Sequence, residues 1–187
     1  MFERGFKSWC ENVALNLRGE LRLRKTDPLP PKDLANYLEV QLWTPRQIKD
    51  LPAESLKILL VTEWQNWSAL TVSHNGRDAI IYNPRHSAGR QSSDIMHELS
   101  HILAGHRPST VMLSPDGALA LRSFDRQQED EANWLCGALL LPRPALMFIV
   151  QSDMDQEEAC QQYHVSDDLL IYRLNVTGVT AQMKRRT

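Results

Sequence analysis

The segment His97-Glu98-Leu99-Ser100-His101 carries the residue types of a metal site, with two imidazoles four positions apart. On a helix of about 3.6 residues per turn, side chains four positions apart project from one face. These two histidines can therefore bind one ion, and neutral imidazole is a preferred ligand of zinc. Glu98 lies beside the first histidine, where its carboxylate can accept a proton from a water molecule at the ion. The pattern predicts the chemistry of a metal-dependent hydrolase.

A third protein ligand must come from another part of the chain, since catalytic zinc sites commonly use three. His106 follows His101 by five residues and would lie on a different helix face. The metzincin pattern would need a histidine at position 107, where this sequence has arginine, so that pattern is excluded by register. The carboxylates of Glu129-Asp130-Glu131, in the next predicted helix, are the better candidates.

The histidine pair lies in a segment that has the periodicity of a buried helix. Ile95, Leu99 and Ile102 recur at helical spacing, and Ser92 or Ser93 is predicted to cap the N-terminus of this helix. Two histidines and a glutamate in a buried helix are costly unless they have partners. The apolar surroundings therefore favour a bound metal.

The other elements are predicted from turn and breaker residues. Asn75-Gly76 supplies the positive backbone angles of a tight turn and joins two β-prone segments in a hairpin. Pro142 ends a helix that begins near Asp125. The predicted elements are helices at residues 6–23, 32–38, 125–141, 156–163 and 167–174, hairpin strands at 67–72 and 79–82, and a short strand at 110–113.

Composition and charge are those of an ordinary globular chain. Its 187 residues are 42% hydrophobic and 24% charged, which is enough for one sizeable core. A formal net charge of -2 gives no electrostatic reason to expect direct binding of nucleic acid or of an anionic membrane. Cys10, Cys136 and Cys160 are odd in number and far apart, which fits a reducing compartment. Because the sequence has no signal-peptide pattern and no apolar run of about 18 residues, a cytoplasmic location is expected.

The two motifs together resemble those of the ImmA/IrrE family of bacterial and phage metallopeptidases. In that family an H-E-L-x-H helix is followed by a helix of the form E-x-x-A-[DN]-x-[FW]-x-x-x-L-L-x-P. This sequence reads EDEANWLCGALLLP over residues 129–142, with Trp134 where phenylalanine is commoner. The resemblance covers about residues 60–175.

The resemblance implies an α+β fold of the zincin type. In this fold a small, mostly antiparallel sheet packs on the HExxH helix and on a second helix that bears a glutamate, with extra helices at the N- and C-terminal ends. Residues 1–58 are expected to form a helical segment that packs on a metallopeptidase core at residues 59–187, giving one compact domain. The N-terminal segment holds no recognisable helix-turn-helix domain, which many family members carry.

By position in the family pattern, the resemblance implies a gluzincin-like zinc site formed by His97, His101 and Glu129. Asn133, one turn after Glu129, matches the position that steadies the first histidine by a hydrogen bond. Glu131 is expected to point elsewhere, to solvent.

Catalysis would combine Glu98 as the general base with a hydrogen-bond donor for the developing oxyanion. His164 is the preferred candidate for that donor, and Tyr163 and Arg90 are alternatives. An edge strand at residues 80–82 is expected to align the substrate as an added strand. The residues expected to take no part in the chemistry are His74 and His86 in predicted turns, and Trp43, Trp64, Trp67 and Trp134 in the core.

The resemblance further implies a zinc-dependent endopeptidase with a regulatory role. Its expected substrate is one specific protein, such as a DNA-binding transcriptional repressor encoded nearby. The alternative is a metal-binding regulatory or interaction module, or a toxin component, with little general proteolytic activity. The intact Glu98 favours catalysis, since a pure binding module has no need of this carboxylate.

Overall fold

The computed structural model describes residues 2–74, 77–106, 111–113, 119–121 and 125–184 of the chain. The described part is mostly helical, with one three-stranded and one two-stranded sheet. The elements in chain order are α1 (Phe6–Glu20), α2 (Pro31–Tyr37), β1 (Gln41–Trp43), α3 (Ala53–Lys57), β2 (Ala69–His74), β3 (Arg77–Tyr82), α4 (Ala88–Leu103), β4 (Val111–Leu113), β5 (Leu119–Leu121), α5 (Arg126–Leu140), α6 (Arg143–Gln151), α7 (Gln156–Tyr163), α8 (Asp167–Thr177) and α9 (Val179–Lys184).

The three-stranded sheet has the order β1-β3-β2 and is mixed. β2 and β3 form the predicted antiparallel hairpin, with Leu70 opposite Ile81, whereas the turn residues Asn75 and Gly76 lie outside the described residues. β1 pairs with β3 in parallel, with Leu42 opposite Ile80. The expectation of a mostly antiparallel sheet therefore needs correction, because β1 was not predicted.

This order also changes which strand is at the edge. β3 pairs with β1 on one side and with β2 on the other, so residues 80–82 lie on the central strand and cannot bind a further strand. The prediction of an edge strand at these residues was wrong. Within the described residues, β2 pairs with β3 alone and is an edge of the sheet.

Capping residues set the ends of the two long helices that carry the motifs. α4 begins after Ser87, whose hydroxyl accepts a hydrogen bond from the backbone N–H of Arg90 at 3.4 Å. The predicted cap at Ser92 or Ser93 was therefore wrong, and Ser92 is buried inside the helix. α5 begins after Asp125, whose carboxylate accepts from the N–H of Gln127 at 2.9 Å, and it ends before Pro142 as predicted.

The core lies mainly where α4 and α5 pack along each other. Met96 and Leu99 of α4 and Leu135 and Leu139 of α5 have no exposed surface. The sheet contacts the other side of α4, with Ile80 fully buried. Because these apolar contacts fix the two helices against each other, they also fix the polar residues at one end of each helix.

The N-terminal helices pack on this pair, α1 on α5 and α2 on α4. Arg18 of α1 is fully buried and donates hydrogen bonds to the carbonyls of Leu139 at 2.8 Å and of Ala14 at 3.1 Å. A buried guanidinium is tolerated only when its donors find such acceptors. The division of the chain at residue 58 stays a prediction.

Of the four tryptophans predicted to lie in the core, Trp134 is buried, whereas Trp43, Trp64 and Trp67 are only half-buried. Among the described residues no single helix is long and apolar enough to cross a membrane. α5 and α6, bent by 47° at their junction, meet that criterion only as a pair.

Gly137 of α5 lies against Arg173 of α8, and a Cβ atom at this glycine would be 2.8 Å from the Cδ of the arginine. Arg173 is fully buried, and its guanidinium is held by the Leu141 carbonyl at 3.0 Å and by Glu11 at 2.5 Å. These anchors prevent the arginine stem from moving aside. The absence of a side chain at position 137 is therefore a packing requirement.

We expect Gly137→Ala to lower the free energy of unfolding by about 1–2 kcal/mol, because overpacking a filled core costs more than the helix gains from alanine. The matched control is Gly19→Ala in α1, where an added Cβ meets nothing within 4 Å. That variant should be neutral or slightly stabilising. Urea unfolding followed by circular dichroism compares the two, and equal stability of both variants would contradict the packing argument.

Candidate metal centre

Three side chains from two helices converge at the end of the α4–α5 interface. The Nε2 atoms of His97 and His101 on α4 lie 3.1 Å apart. Glu129, in the first turn of α5, places its Oε2 atom 3.2 Å from Nε2 of His97 and its Oε1 atom 3.5 Å from Nε2 of His101. One ligand atom from each residue lies within 4.8 Å of the others, so the three can hold a metal ion.

The chemistry of these donors fits a divalent transition metal. Two imidazoles and a carboxylate are a usual set of protein ligands in catalytic zinc sites, and they leave a fourth position for water or substrate. The three side chains are between 19% and 29% exposed, so solvent and substrate can reach the cluster. Burial, together with the neighbouring His97, lowers the pKa of His101 to about 4. His101 is therefore neutral at physiological pH, which is the form that binds metal.

Glu98 lies beside this cluster and contacts the sheet. The hydroxyl of Thr71, on edge strand β2, donates a hydrogen bond to Oε2 of Glu98 at 2.6 Å. Burial raises the pKa of the Glu98 carboxyl above its usual range, and the Thr71 hydroxyl and the nearby His97 act in the opposite direction. A raised pKa brings a carboxylate closer to the proton affinity that a general base needs near neutral pH.

His106 lies behind the cluster and contacts His101 on the side opposite to the other ligands. Its Nδ1 atom is 3.0 Å from Nδ1 of His101, and its Nε2 atom is 3.2 Å from Oε2 of Glu131. His106 therefore lies outside the three-residue cluster, as its register predicts. The expectation that Glu131 points to solvent was wrong, because its side chain is only 16% exposed and is held by His106 and Gln127.

His164 and Tyr163, two of the predicted oxyanion donors, lie away from the cluster. His164 is an exposed residue at the C-terminus of α7, and its carbonyl lies beside Gly89 near the start of α4. Gly89 precedes His97 by eight residues, which is about 12 Å along a helix. Tyr163 is buried and donates its hydroxyl to the Thr26 carbonyl at 2.7 Å.

Arg90 and Asn133 are both exposed. Arg90 donates to the Ser68 hydroxyl at 3.4 Å, away from the histidine pair. Asn133 follows Glu129 by one turn of α5, and its hydrogen bond to the first histidine stays a prediction. His86 is buried and pairs with Asp94 at 2.6 Å, which links the end of the hairpin to α4 and agrees with a structural role.

The mostly helical α+β fold, with two histidines of one helix and a glutamate of the next in a cluster that can hold a metal ion, places the chain in a class of candidate metal-binding proteins. Within that class, the chain belongs to the IrrE N-terminal-like domain family (Peptidase_M78), whose sequence profile matches residues 53–175. The resemblance to the ImmA/IrrE metallopeptidases is thereby confirmed. Family membership indicates a metallopeptidase domain.

Comparison with solved structures gives a Mycobacterium tuberculosis transcriptional regulator that is 14% identical in sequence, with a TM-score of 0.49. The match covers 92% of this chain and 47% of the regulator, so the chain spans about half the length of that protein. No curated protein sequence matches the chain significantly.

Proposed function

We propose that the protein is a zinc-dependent endopeptidase that cleaves one specific protein, such as a transcriptional repressor. The observation that carries this proposal is the convergence of His97, His101 and Glu129, with Glu98 held beside them. Membership of a peptidase family supports hydrolysis of a peptide bond as the reaction.

In this mechanism His97, His101 and Glu129 hold the metal. Bound zinc supplies Lewis acidity, which polarises the substrate carbonyl and lowers the pKa of water. Glu98 accepts the proton of the attacking water and later delivers it to the leaving amine. The Thr71 hydroxyl holds the Glu98 carboxyl group in place while it accepts and then delivers this proton.

The substrate backbone is proposed to pair with β2 as an added strand. Within the described residues the outer edge of β2 has no neighbouring strand, and Thr71 on this strand contacts the general base. A peptide that pairs with β2 through main-chain hydrogen bonds would therefore lie close to Glu98 and the metal cluster. β2 thus takes the role of substrate-pairing strand that was predicted from the sequence for residues 80–82, which lie on the central strand.

A repressor as the substrate is inferred from the family resemblance, by analogy with members that remove a repressor. The alternative is a regulatory module that binds metal without turnover. The Thr71–Glu98 hydrogen bond favours catalysis, because it orients a carboxylate that is absent from the group of metal ligands.

The function is tested by mapping new protein N-termini in a lysate of the source cells after incubation with the zinc-loaded full chain. We expect a small set of chelator-sensitive cleavages. A metal-loaded protein that produces no new N-termini, under conditions where a known endopeptidase does, would favour the binding module.

Metal removal should destabilise the chain as well as inactivate it. A ligand present at about 1,000 times its dissociation constant stabilises the folded state by about 4 kcal/mol, which raises the Tm of a chain of this size by roughly 8 °C or more. We therefore expect about one zinc per chain by elemental analysis and a Tm that falls on chelation. A Tm that is unaffected by chelator and added zinc would contradict the metal centre.

Removing the hydroxyl that orients Glu98 should slow the reaction without weakening binding. A hydrogen bond to a charged group contributes about 1.5–3 kcal/mol, so we expect Thr71→Val to lower kcat roughly ten-fold or more, with KM nearly unchanged. Ser73→Ala is the matched control, since Ser73 lies on the same strand but its hydroxyl donates to Asp78 in a solvent-exposed hydrogen bond. An equal effect of both variants on kcat would contradict a specific role for Thr71.

A further inference from the structure

After α4 ends, the chain turns back on the last turn of the helix and contacts His101, one of the proposed metal ligands. Gly105 has a φ of +65°, and its N–H donates to the carbonyl of Ile102 at 3.1 Å. The N–H of His106 donates to the carbonyl of His101 at 3.0 Å. This pair of bonds is the Schellman motif, which brings the second residue past the helix next to its last turn. The backbone therefore fixes His106 beside His101.

The side chains extend this contact to a second helix. The rings of His101 and His106 have centroids 5.0 Å apart at an interplanar angle of 69°, which directs one nitrogen of His106 at Nδ1 of His101. The other nitrogen meets Glu131 of α5, and the amide of Gln127 donates to the second oxygen of that carboxylate at 3.0 Å. The His106 side chain is 6% exposed, so water competes little for these bonds.

Metal binding at His101 determines which ring nitrogen carries the proton in His101 and in His106. If Nε2 of His101 binds the ion, the proton of the neutral ring lies on Nδ1 and is donated to His106. Nδ1 of His106 then accepts, so the His106 proton lies on Nε2 and is donated to Glu131. A carboxylate only accepts, so it holds both rings in the tautomers that metal binding needs.

We propose that His106 and Glu131 are positioning residues that hold the His101 ring in its metal-binding orientation and tautomer. This inference rests on the proposed metal centre. Neither residue is a ligand in it, because the His106 nitrogens face Nδ1 of His101 and Glu131 instead of the Nε2 atoms of the cluster.

The test is the zinc affinity of the purified full chain, measured by competition with a chromophoric chelator. Loss of a group that orients a metal ligand typically weakens metal binding 10- to 100-fold, so we expect about this loss for His106→Phe and about a ten-fold loss for Glu131→Gln. Asp130→Asn is the matched control, because it removes an exposed carboxylate between Glu129 and Glu131. It should change the affinity by less than about two-fold.

His106→Gln should keep much of the zinc affinity that His106→Phe loses, since the glutamine amide can accept a hydrogen bond from His101 and donate one to Glu131. In the His106→Phe background, Glu131→Gln should have no further effect, because Glu131 acts through His106. Wild-type affinity in His106→Phe, or additive losses in the double variant, would overturn the proposal. A loss as large as that of His101→Phe would also overturn it, by identifying His106 as a ligand.

Folding of each metal-free variant is checked by circular dichroism and urea unfolding. If His106→Phe does not fold, the comparison of Glu131→Gln with Asp130→Asn decides the proposal, and equal affinities in these two variants would overturn it. Failure of the wild-type chain to bind zinc would refute the metal centre itself. Zinc binding by the wild type that is insensitive to both positions would refute only the positioning pair.

Discussion

Glu98→Gln is expected to lower kcat/KM by about 100- to 10,000-fold, the usual contribution of a positioned general base. Glutamine keeps the size of the side chain and can still accept the Thr71 hydrogen bond, but it cannot take a proton from water. Glu98 is not among the three residues that can hold the metal. Zinc content should therefore stay at the wild-type level while cleavage is lost.

The measurement compares wild-type and Glu98→Gln proteins at equal zinc occupancy, first by the appearance of new N-termini in a lysate and then on the substrate found. Asp130→Asn controls for the loss of one negative charge near the site. Cleavage that persists unchanged in Glu98→Gln would remove the proposed base. Cleavage reduced equally in both variants would attribute the loss to net charge and not to proton transfer.

Local sequence signals predicted the helices that carry the site with different accuracy at their ends. α5 begins after Asp125 and ends before Pro142 as predicted, because a capping carboxylate and a proline act on the adjacent residues alone. At α4 three serines could cap, and the first of them, Ser87, does so, which starts the helix earlier than predicted. The periodic pattern fixes the buried face of a helix but not its first residue.

The sheet was less predictable because its pairing is not local. β1 has three residues and pairs in parallel with a strand nearly forty positions later, so no turn signal joins the two. Without β1, the residues of β3 from Ile80 to Tyr82 look like an edge; with it they are central. Which strands form the two edges of this sheet, and where the proposed substrate strand can pair, thus depends on tertiary structure.

The cluster itself was predictable from two motifs and a resemblance, since residues four apart on α4 must share a face. What lies behind the cluster was missed. Gly105 is the signal that could have revealed it, because a glycine just past a helix predicts the motif that turns the next residue back. The register of His106 excludes it from the metal ligands, but register alone does not predict its contact with Nδ1 of His101.

Glu129→Gln is expected to weaken zinc binding by more than about 100-fold, beyond the loss typical for a residue that only orients a ligand. The carboxylate supplies the one negative charge among the three donors, and its two oxygens lie 3.2 Å and 3.5 Å from the two imidazoles. A neutral amide of the same size is a much poorer ligand for zinc. The variant should consequently lose cleavage together with metal.

Two further variants on α5, at Asp130 and Glu131, test whether Glu129 is the ligand. Asp130→Asn removes an exposed charge one residue away and should leave zinc affinity nearly unchanged, whereas Glu131→Gln should give the smaller loss of a positioning residue. The expected order of zinc affinity, from chelator competition, is Asp130→Asn above Glu131→Gln above Glu129→Gln. A weaker zinc affinity in Glu131→Gln than in Glu129→Gln would identify Glu131 as the ligand. Because all three changes are isosteric on one helix, such a result could not be attributed to size, and misfolding would show in urea unfolding of the metal-free proteins.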